Sequence, residues 1–154
     1  MEVKNKGGVH VSSVTFKVTA SSENPTKTVV RARNFEMIID EPKNLKGTDA
    51  GPNPVEYVLG ALSGCLNVVG HVVAREMGFQ LRGITFELEG DLDPAKFSGK
   101  PTTSRAGYSE IRVKVKPDCD LNKQQLETWL HTIESRCPVS DNISNPTPVK
   151  ISLG

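Results

Sequence analysis

Residues 53–78 read NPVEYVLGALSGCLNVVGHVVAREMG, and the way this stretch folds decides the architecture. Asn53 is a good N-cap, and Pro54 suits the first helical position, where a missing N–H costs nothing. Glu56 stands three residues after the cap, within reach of the cap's own N–H. Gly78 supplies a left-handed stop after Arg75-Glu76-Met77. These signals predict one helix of about 24 residues, roughly 36 Å long at 1.5 Å per residue. Residues 57–74 carry no formal charge and reach the lower limit for a membrane span. They also hold Ser63, Asn67 and His71 together with Gly60, Gly64 and Gly70, and the flanks read as soluble β structure. A buried central helix is the expectation. At 100° per residue, Val58, Ala61, Leu62, Cys65, Val68, Val69 and Val72 share one side, and the small or weakly polar Gly60, Ser63, Gly64, Asn67, Gly70 and His71 share the other. A helix apolar or small nearly all round should be covered on both sides. In so short a chain the second cover is expected from another subunit, against the Gly60–Gly64 face that permits close approach.

Working outward, residues 9–19 (VHVSSVTFKVT) alternate in part and are rich in β-branched residues, which predicts a half-buried strand. Residues 27–33 and 35–39 predict two more, separated by a tight break at Arg33-Asn34, so the first third reads as an antiparallel meander. Residues 40–53 (DEPKNLKGTDAGPN) read as a loop. Beyond the helix, residues 83–90 (GITFELEG) and 108–116 (YSEIRVKVK) alternate as strands, with the long polar loop 91–107 between them. A second helix is expected from about residue 122 to residue 136, with Leu126, Trp129, Leu130 and Ile133 on one face. It should stop before Cys137-Pro138, because a residue that precedes proline is pushed out of the α region. The tail NPTPVKISLG is expected to end in a short strand at 149–153. The elements together predict an α+β fold.

The chain has 154 residues, with 19 Lys and Arg against 18 Asp and Glu. That length suits one domain over 1–154 able to bury about two-thirds of its unfolded surface. The near-neutral balance, without a basic run interleaved with aromatics, argues against nucleic acid as a partner. The N-terminus MEVKNKGGVHVSS resembles neither a signal peptide nor a transit sequence, so the expectation is cytoplasmic, with no membrane partner. In that compartment thiols stay reduced, and a cysteine that does chemistry does it as thiolate or transient disulfide. Cys65, Cys119 and Cys137 lie dozens of residues apart without a CxxC pair, which fits neither a disulfide framework nor structural zinc.

A lone buried cysteine is ordinarily a small hydrophobe. Two that meet can do more: one thiolate attacks an O–O bond and becomes a sulfenic acid, and the other condenses with it as a disulfide. Spacing alone leaves open whether Cys65 and Cys137 meet.

GPNPVEYVLGALSGC (residues 51–65) and CPVSDNI (137–143), preceded by RARNFEMIIDEP (31–42), resemble the OsmC and organic hydroperoxide resistance (Ohr) family, in its OsmC-like branch. The resemblance covers most of the chain and includes the two strands GITFELEG and YSEIRVKVK. It implies an intertwined α+β homodimer, with antiparallel sheets built partly from both chains around the long central helix, a second C-terminal helix, and two sites at the dimer interface. It further implies a thiol-dependent peroxidase that reduces organic hydroperoxides in oxidative stress defence, with no bound cofactor and an external dithiol, of lipoyl type for instance, as reductant. Cys65 matches the attacking cysteine and Cys137 the resolving one.

The family also uses an arginine from an N-terminal strand to favour the thiolate, and a glutamate near the start of the central helix to hold that arginine. A free thiol with a pKa near 8.5 is poorly ionised at neutral pH, and an apolar setting raises that value, so a cation is needed. Arg31 and Arg33 are the candidates, and Arg33 is taken here. Glu56 follows Val55 where the Ohr pattern has its glutamate directly after the Asn-Pro pair, and it doubles as a helix-cap residue. His71, six residues from Cys65, is rotated by about 240° and does not suit a Cys-His hydrolase. His131 is expected at the surface, and Cys119 belongs to no motif. The competing reading is a non-catalytic dimer of the same fold that binds a small apolar or electrophilic ligand at the subunit interface.

Overall fold

The computed structural model describes residues 13–154. The chain divides between Pro54 and Val55 into two compact units.

The first unit is a three-stranded antiparallel meander, β1 (Thr19–Ser22), β2 (Thr28–Ala32) and β3 (Phe35–Ile39), in that spatial order. Thr19 faces Arg31 across the first pair, and Ala32 faces Phe35 across the second, leaving Arg33-Asn34 as a two-residue turn. Asn24 builds the β1–β2 connection by accepting from the N–H groups of Thr26 (2.9 Å) and Lys27 (2.7 Å). The expected strand at 9–19 is corrected here. Residues 9–12 lie outside the described residues, 13–18 form no ladder, and pairing begins only at Thr19. Val14, Phe16 and Val18 are exposed, so among the described residues their alternation is not matched by burial of one face.

The loop after β3 is organised by Asp40, a residue that its sequence context did not mark. Its carboxylate is fully buried and accepts from the N–H groups of Glu41 (2.8 Å), Thr48 (3.0 Å) and Ala50 (3.1 Å) and from the Thr48 hydroxyl (2.5 Å). The Thr48 hydroxyl above all, with the backbone donors, holds this carboxyl far below the usual carboxylate range, against the opposing effect of burial. A single 3-10 turn, Lys43–Leu45, lies inside the loop. Gly47 packs so close to the Glu41 carbonyl that a Cβ would sit 1.7 Å from its oxygen, which admits glycine alone.

The second unit is built on α1 (Pro54–Glu76), with the antiparallel pair β4 (Gly83–Asp91) and β5 (Glu110–Asp118), then α2 (Lys123–Arg136) and α3 (Pro138–Ser144). The predicted bounds of α1 hold, and Gly78 beyond it has φ 75, the left-handed stop that the sequence required. The buried face differs from expectation. Leu62, Leu66, Gly70, Val73 and Ala74 are buried, whereas Val58 and Val68 are exposed (38% and 62%). Among the described residues of the second unit the buried positions of α1 lie on one side, and a Cβ added at Gly60 or Gly64 would meet nothing within 4 Å.

Two apolar clusters line the covered side. Near the middle of the helix, Leu62 and Leu66 pack with Cys137, against Phe86, Leu88, Ile111 and Val113 of the strands. Toward its end, Val73 packs with Trp129 and Ile133 of α2. The Trp129 Nε1–H donates to the Gly70 carbonyl at 3.0 Å, which brings α2 close to α1 where the helix has no side chain. α2 opens with a capping box in which the Asn122 side chain accepts from the Gln125 N–H (3.0 Å) and the Gln125 side chain accepts from the Asn122 N–H (3.1 Å). Arg136 at its end grips both carboxylate oxygens of Glu76 at the end of α1.

The short helix α3 was not expected, and the expected strand at 149–153 is not formed. Val149, Ile151 and Leu153 are exposed, and no strand among the described residues pairs with them.

Candidate active site

Cys137 is held in place by the proline that follows it. Pro138 has no N–H to continue α2 and excludes its predecessor from the α region. Cys137 takes φ −83 and ψ 110, closes α2 through its N–H to the Glu134 carbonyl, and opens α3 as its N-cap. Pro138 then occupies a first-turn position of the new helix, where it fits well. This elbow turns the thiol inward: Cys137 is 1% exposed, and its Sγ accepts from the Ser140 N–H at 3.4 Å.

Cys65, half-buried in the fourth turn of α1, packs against the cluster that contains Cys137, together with Val139 and Ile143 of α3. The structure thus brings together the two cysteines that the sequence singled out, both as free thiols. Burial pushes the Cys137 thiol up, the Ser140 N–H draws it partly back, and the hydrogen-bonded Cys65 sulfur raises it further. At neutral pH the Cys137 thiol keeps its proton. A cavity of about 310 Å³ shares Leu62, Leu66, Ile111 and Val113 with the cluster that holds Cys137, and Ile133, Glu134 and Ser140 complete part of its wall.

Arg31 and Arg33 belong to the first unit. Arg31, on β2, pairs with Glu36 across the hairpin at 2.9 Å. Arg33 occupies the turn with φ 56, left-handed for a residue with a Cβ, and its guanidinium lies 4.9 Å from the centroid of the Phe35 ring. It has no ion pair among the described residues. Glu56, exposed in the first turn of α1, acts on Tyr108, whose hydroxyl is pushed up by burial first and by this carboxylate second. Nine residues of helix, about 13 Å of rise, separate Glu56 from Cys65. His71 is half-buried and His131 exposed. Cys119 stands apart in the turn after β5, between Asp118 and Asp120, both gripped by Arg82 (2.7 Å and 2.8 Å). Among the described residues no group of three or more His, Cys, Asp or Glu could hold a metal ion.

The chain has the fold of several solved proteins. An OsmC-like protein from Mycoplasma pneumoniae superposes with a TM-score of 0.75 at 16% identity, over 86% of this chain and 89% of that one. An organic hydroperoxide resistance protein OsmC from Legionella pneumophila gives 0.62 at 18% identity, over 86% and 91%. An organic hydroperoxide resistance protein from Elizabethkingia anophelis gives 0.62 at 16% identity, over 84% and 88%. At these identities the likeness is one of fold. No curated protein sequence matches the chain. The profile of the family described as OsmC-like protein matches residues 47–152.

Proposed function

Because the chain belongs to the OsmC-like family, we propose that it is a thiol peroxidase that reduces organic hydroperoxides in oxidative stress defence, with Cys65 as the attacking and Cys137 as the resolving cysteine. The observation that carries this reading is the packing of Cys65 against the buried Cys137 at the α2–α3 elbow. The Cys65 thiolate attacks the terminal peroxide oxygen, the O–O bond breaks, and the alcohol leaves after taking up a proton. Cys137 then attacks the sulfenic sulfur, releasing water and closing a disulfide. An external dithiol, of lipoyl type for instance, takes over that disulfide and restores both thiols. The apolar neighbours of Cys65 favour alkyl or lipid hydroperoxides over hydrogen peroxide.

Arg33 is assigned the role of the cation that favours the Cys65 thiolate, and Glu56 that of orienting it. Arg33 is preferred to Arg31 because Arg31 is already committed to Glu36. Its left-handed backbone also costs about 1 kcal/mol, a strain retained more readily at functional positions.

The working form is a homodimer. The open Gly60–Gly64 side of α1, the exposed Val58 and Val68, and the alternating exposed Val149, Ile151 and Leu153 each suit a second copy of the chain.

Purified protein supplied with cumene hydroperoxide and a dithiol is expected to turn over. Cys65→Ser should be inactive, and Cys137→Ser should stop at a Cys65 sulfenic acid trappable with dimedone. Equal, slow peroxide loss with wild type and Cys65→Ser, and no Cys65–Cys137 disulfide by mass spectrometry, would sink the peroxidase reading in favour of a binding dimer.

A further inference from the structure

The connection between β4 and β5 is far longer than the short loop that closes a tight hairpin, and its middle is built rather than loose. Asp93 opens a single helical turn by accepting from the Ala95 N–H at 2.9 Å, and its other oxygen accepts from the Thr102 hydroxyl at 3.4 Å. The Ser98 N–H donates to the Pro94 carbonyl (3.0 Å), that of Gly99 to Lys96 (3.1 Å) and that of Lys100 to Ala95 (2.9 Å). The last two bonds form a Schellman stop, and Gly99 supplies the left-handed residue it requires, at φ 69. Thr102 in turn accepts from the Ser104 N–H at 3.0 Å.

This ordered turn displays an aromatic ring in water. Phe97 is 84% exposed, whereas Phe79 and Phe86 of the same unit pack against the two apolar clusters. Lys96 precedes it and Lys100 follows four residues after Lys96, both exposed and neither with an ion pair among the described residues. On β5, by contrast, Arg112 holds Asp91 and Lys116 holds Glu87. The carboxylate of Asp93 is turned to the base of the loop by its own hydrogen bonds, so residues 94–100 offer two cations around one ring.

Area decides which occupant suits such a tip. A stable protein partner covers about 800 Å² a side around an apolar centre, whereas one phenylalanine supplies about 150–250 Å². A bilayer needs no matching surface. The ring can enter at the depth of the headgroups while the lysines lay their aliphatic stems beside it and keep their ammonium groups at the phosphates. Two unpaired cations select an anionic surface.

We propose that the turn 94–100 is a docking tip for an anionic lipid surface, with Phe97 inserted among the headgroups and Lys96 and Lys100 on the lipid phosphates. The contact is reversible, because one ring and two charges are too few for permanent anchoring. The expectation of no membrane partner rested on the lack of a leader-like N-terminus and on α1 as a core helix, and a surface contact requires neither leader nor span. Docking is read without turnover, so the inference stands apart from the peroxidase reading.

Co-sedimentation of the whole protein with sucrose-loaded vesicles tests it. Binding is expected to vesicles of phosphatidylglycerol and phosphatidylcholine in equal parts, and not to phosphatidylcholine alone. Lys96→Gln and Lys100→Gln should each weaken binding about fivefold at low salt, as loss of one surface cation does. Phe97→Ser should weaken it by at least as much and leave the sedimentation-equilibrium mass unchanged. Phe97→Trp should bind as wild type does, with an emission blue shift on the anionic vesicles that wild type, whose Trp129 is buried, does not show. Equal binding to the two lipid compositions, binding to neither, full binding by Phe97→Ser, or a Phe97→Trp emission unmoved by vesicles would each overturn the proposal. So would a fall in mass with Phe97→Ser, which would make the tip a contact between two copies of the chain.

Discussion

Cys137 owes its buried position to one neighbour. A proline at 138 forces the extended backbone at 137, and a thiol that would otherwise ride on α2 is turned into the core at 1% exposure. Burial keeps its proton on, which bears on both chemistry and stability. To close a disulfide, the sulfur must lose that proton, so closure is expected to quicken as pH rises past the ordinary thiol range near pH 8.5. Competition between dimedone and closure measures this: after one equivalent of hydroperoxide, the Cys65 adduct should be abundant at about pH 6.5 and scarce at about pH 9. A yield that does not change with pH would remove Cys137 from the resolving step. The linkage has the same direction. An unfolded chain gives up this proton first, so the contribution of Cys137 to stability is complete below the ordinary thiol pKa and is lost as pH rises through the folded one. Both cysteines could be picked out in the sequence by their motifs. That they touch could not, because 72 residues separate them and contacts at such range follow from packing.

At the scale of elements, the contact between α1 and α2 depends on the absence of a side chain. A Cβ at Gly70 would stand 2.8 Å from Ile84 Cδ1 and 3.2 Å from Trp129 Cζ2. Ile84 can turn its terminal methyl aside, whereas Trp129 is held by its bond to the Gly70 carbonyl. Gly70→Ala gains about 1 kcal/mol in helix propensity. Overpacking costs about 1–3 kcal/mol, and moving the indole strands a buried donor. A net loss of about 1 kcal/mol is expected, read as a lower urea midpoint at unchanged slope with altered Trp129 fluorescence. A midpoint equal to or above wild type would show that the contact tolerates a methyl. The ends of α1 were legible because Asn53-Pro54 and Gly78 announce themselves through local chemistry. Its buried face was not, since a helix apolar nearly all round offers no moment to choose by, and the choice fell on Leu66, Gly70 and Val73 where β4, β5 and α2 happen to lie. The helix α3 is hidden in the sequence for a related reason: Pro138 marks the end of one helix and is also the start of another.

For the whole molecule, the exposed apolar residues form a pattern. Val58 and Val68 of α1, Val14, Phe16 and Val18 in one extended segment and Val149, Ile151 and Leu153 in another are exposed among the described residues. The proposed dimer supplies a cover for them, and sedimentation equilibrium should return twice the 16.7 kDa chain mass. Val68→Asp, at an exposed position of α1, should shift the protein toward the single-chain mass, with helical circular dichroism retained and hydroperoxide turnover reduced. A wild type that sediments as a single chain would dispose of the dimer. The sequence by itself determined the elements, namely a capped central helix, two alternating strands after it, a meander before it and a helix broken at Cys137-Pro138, because caps, turns and two-residue periodicity act between neighbours along the chain. Tertiary structure alone decided which side of α1 is buried, that Asp40 anchors a loop, that the tail pairs with no strand among the described residues, and that Cys65 meets Cys137. Each of these depends on which surfaces remain to be covered once the elements have formed, and burial, unlike a cap or a turn, is a property of the packed molecule.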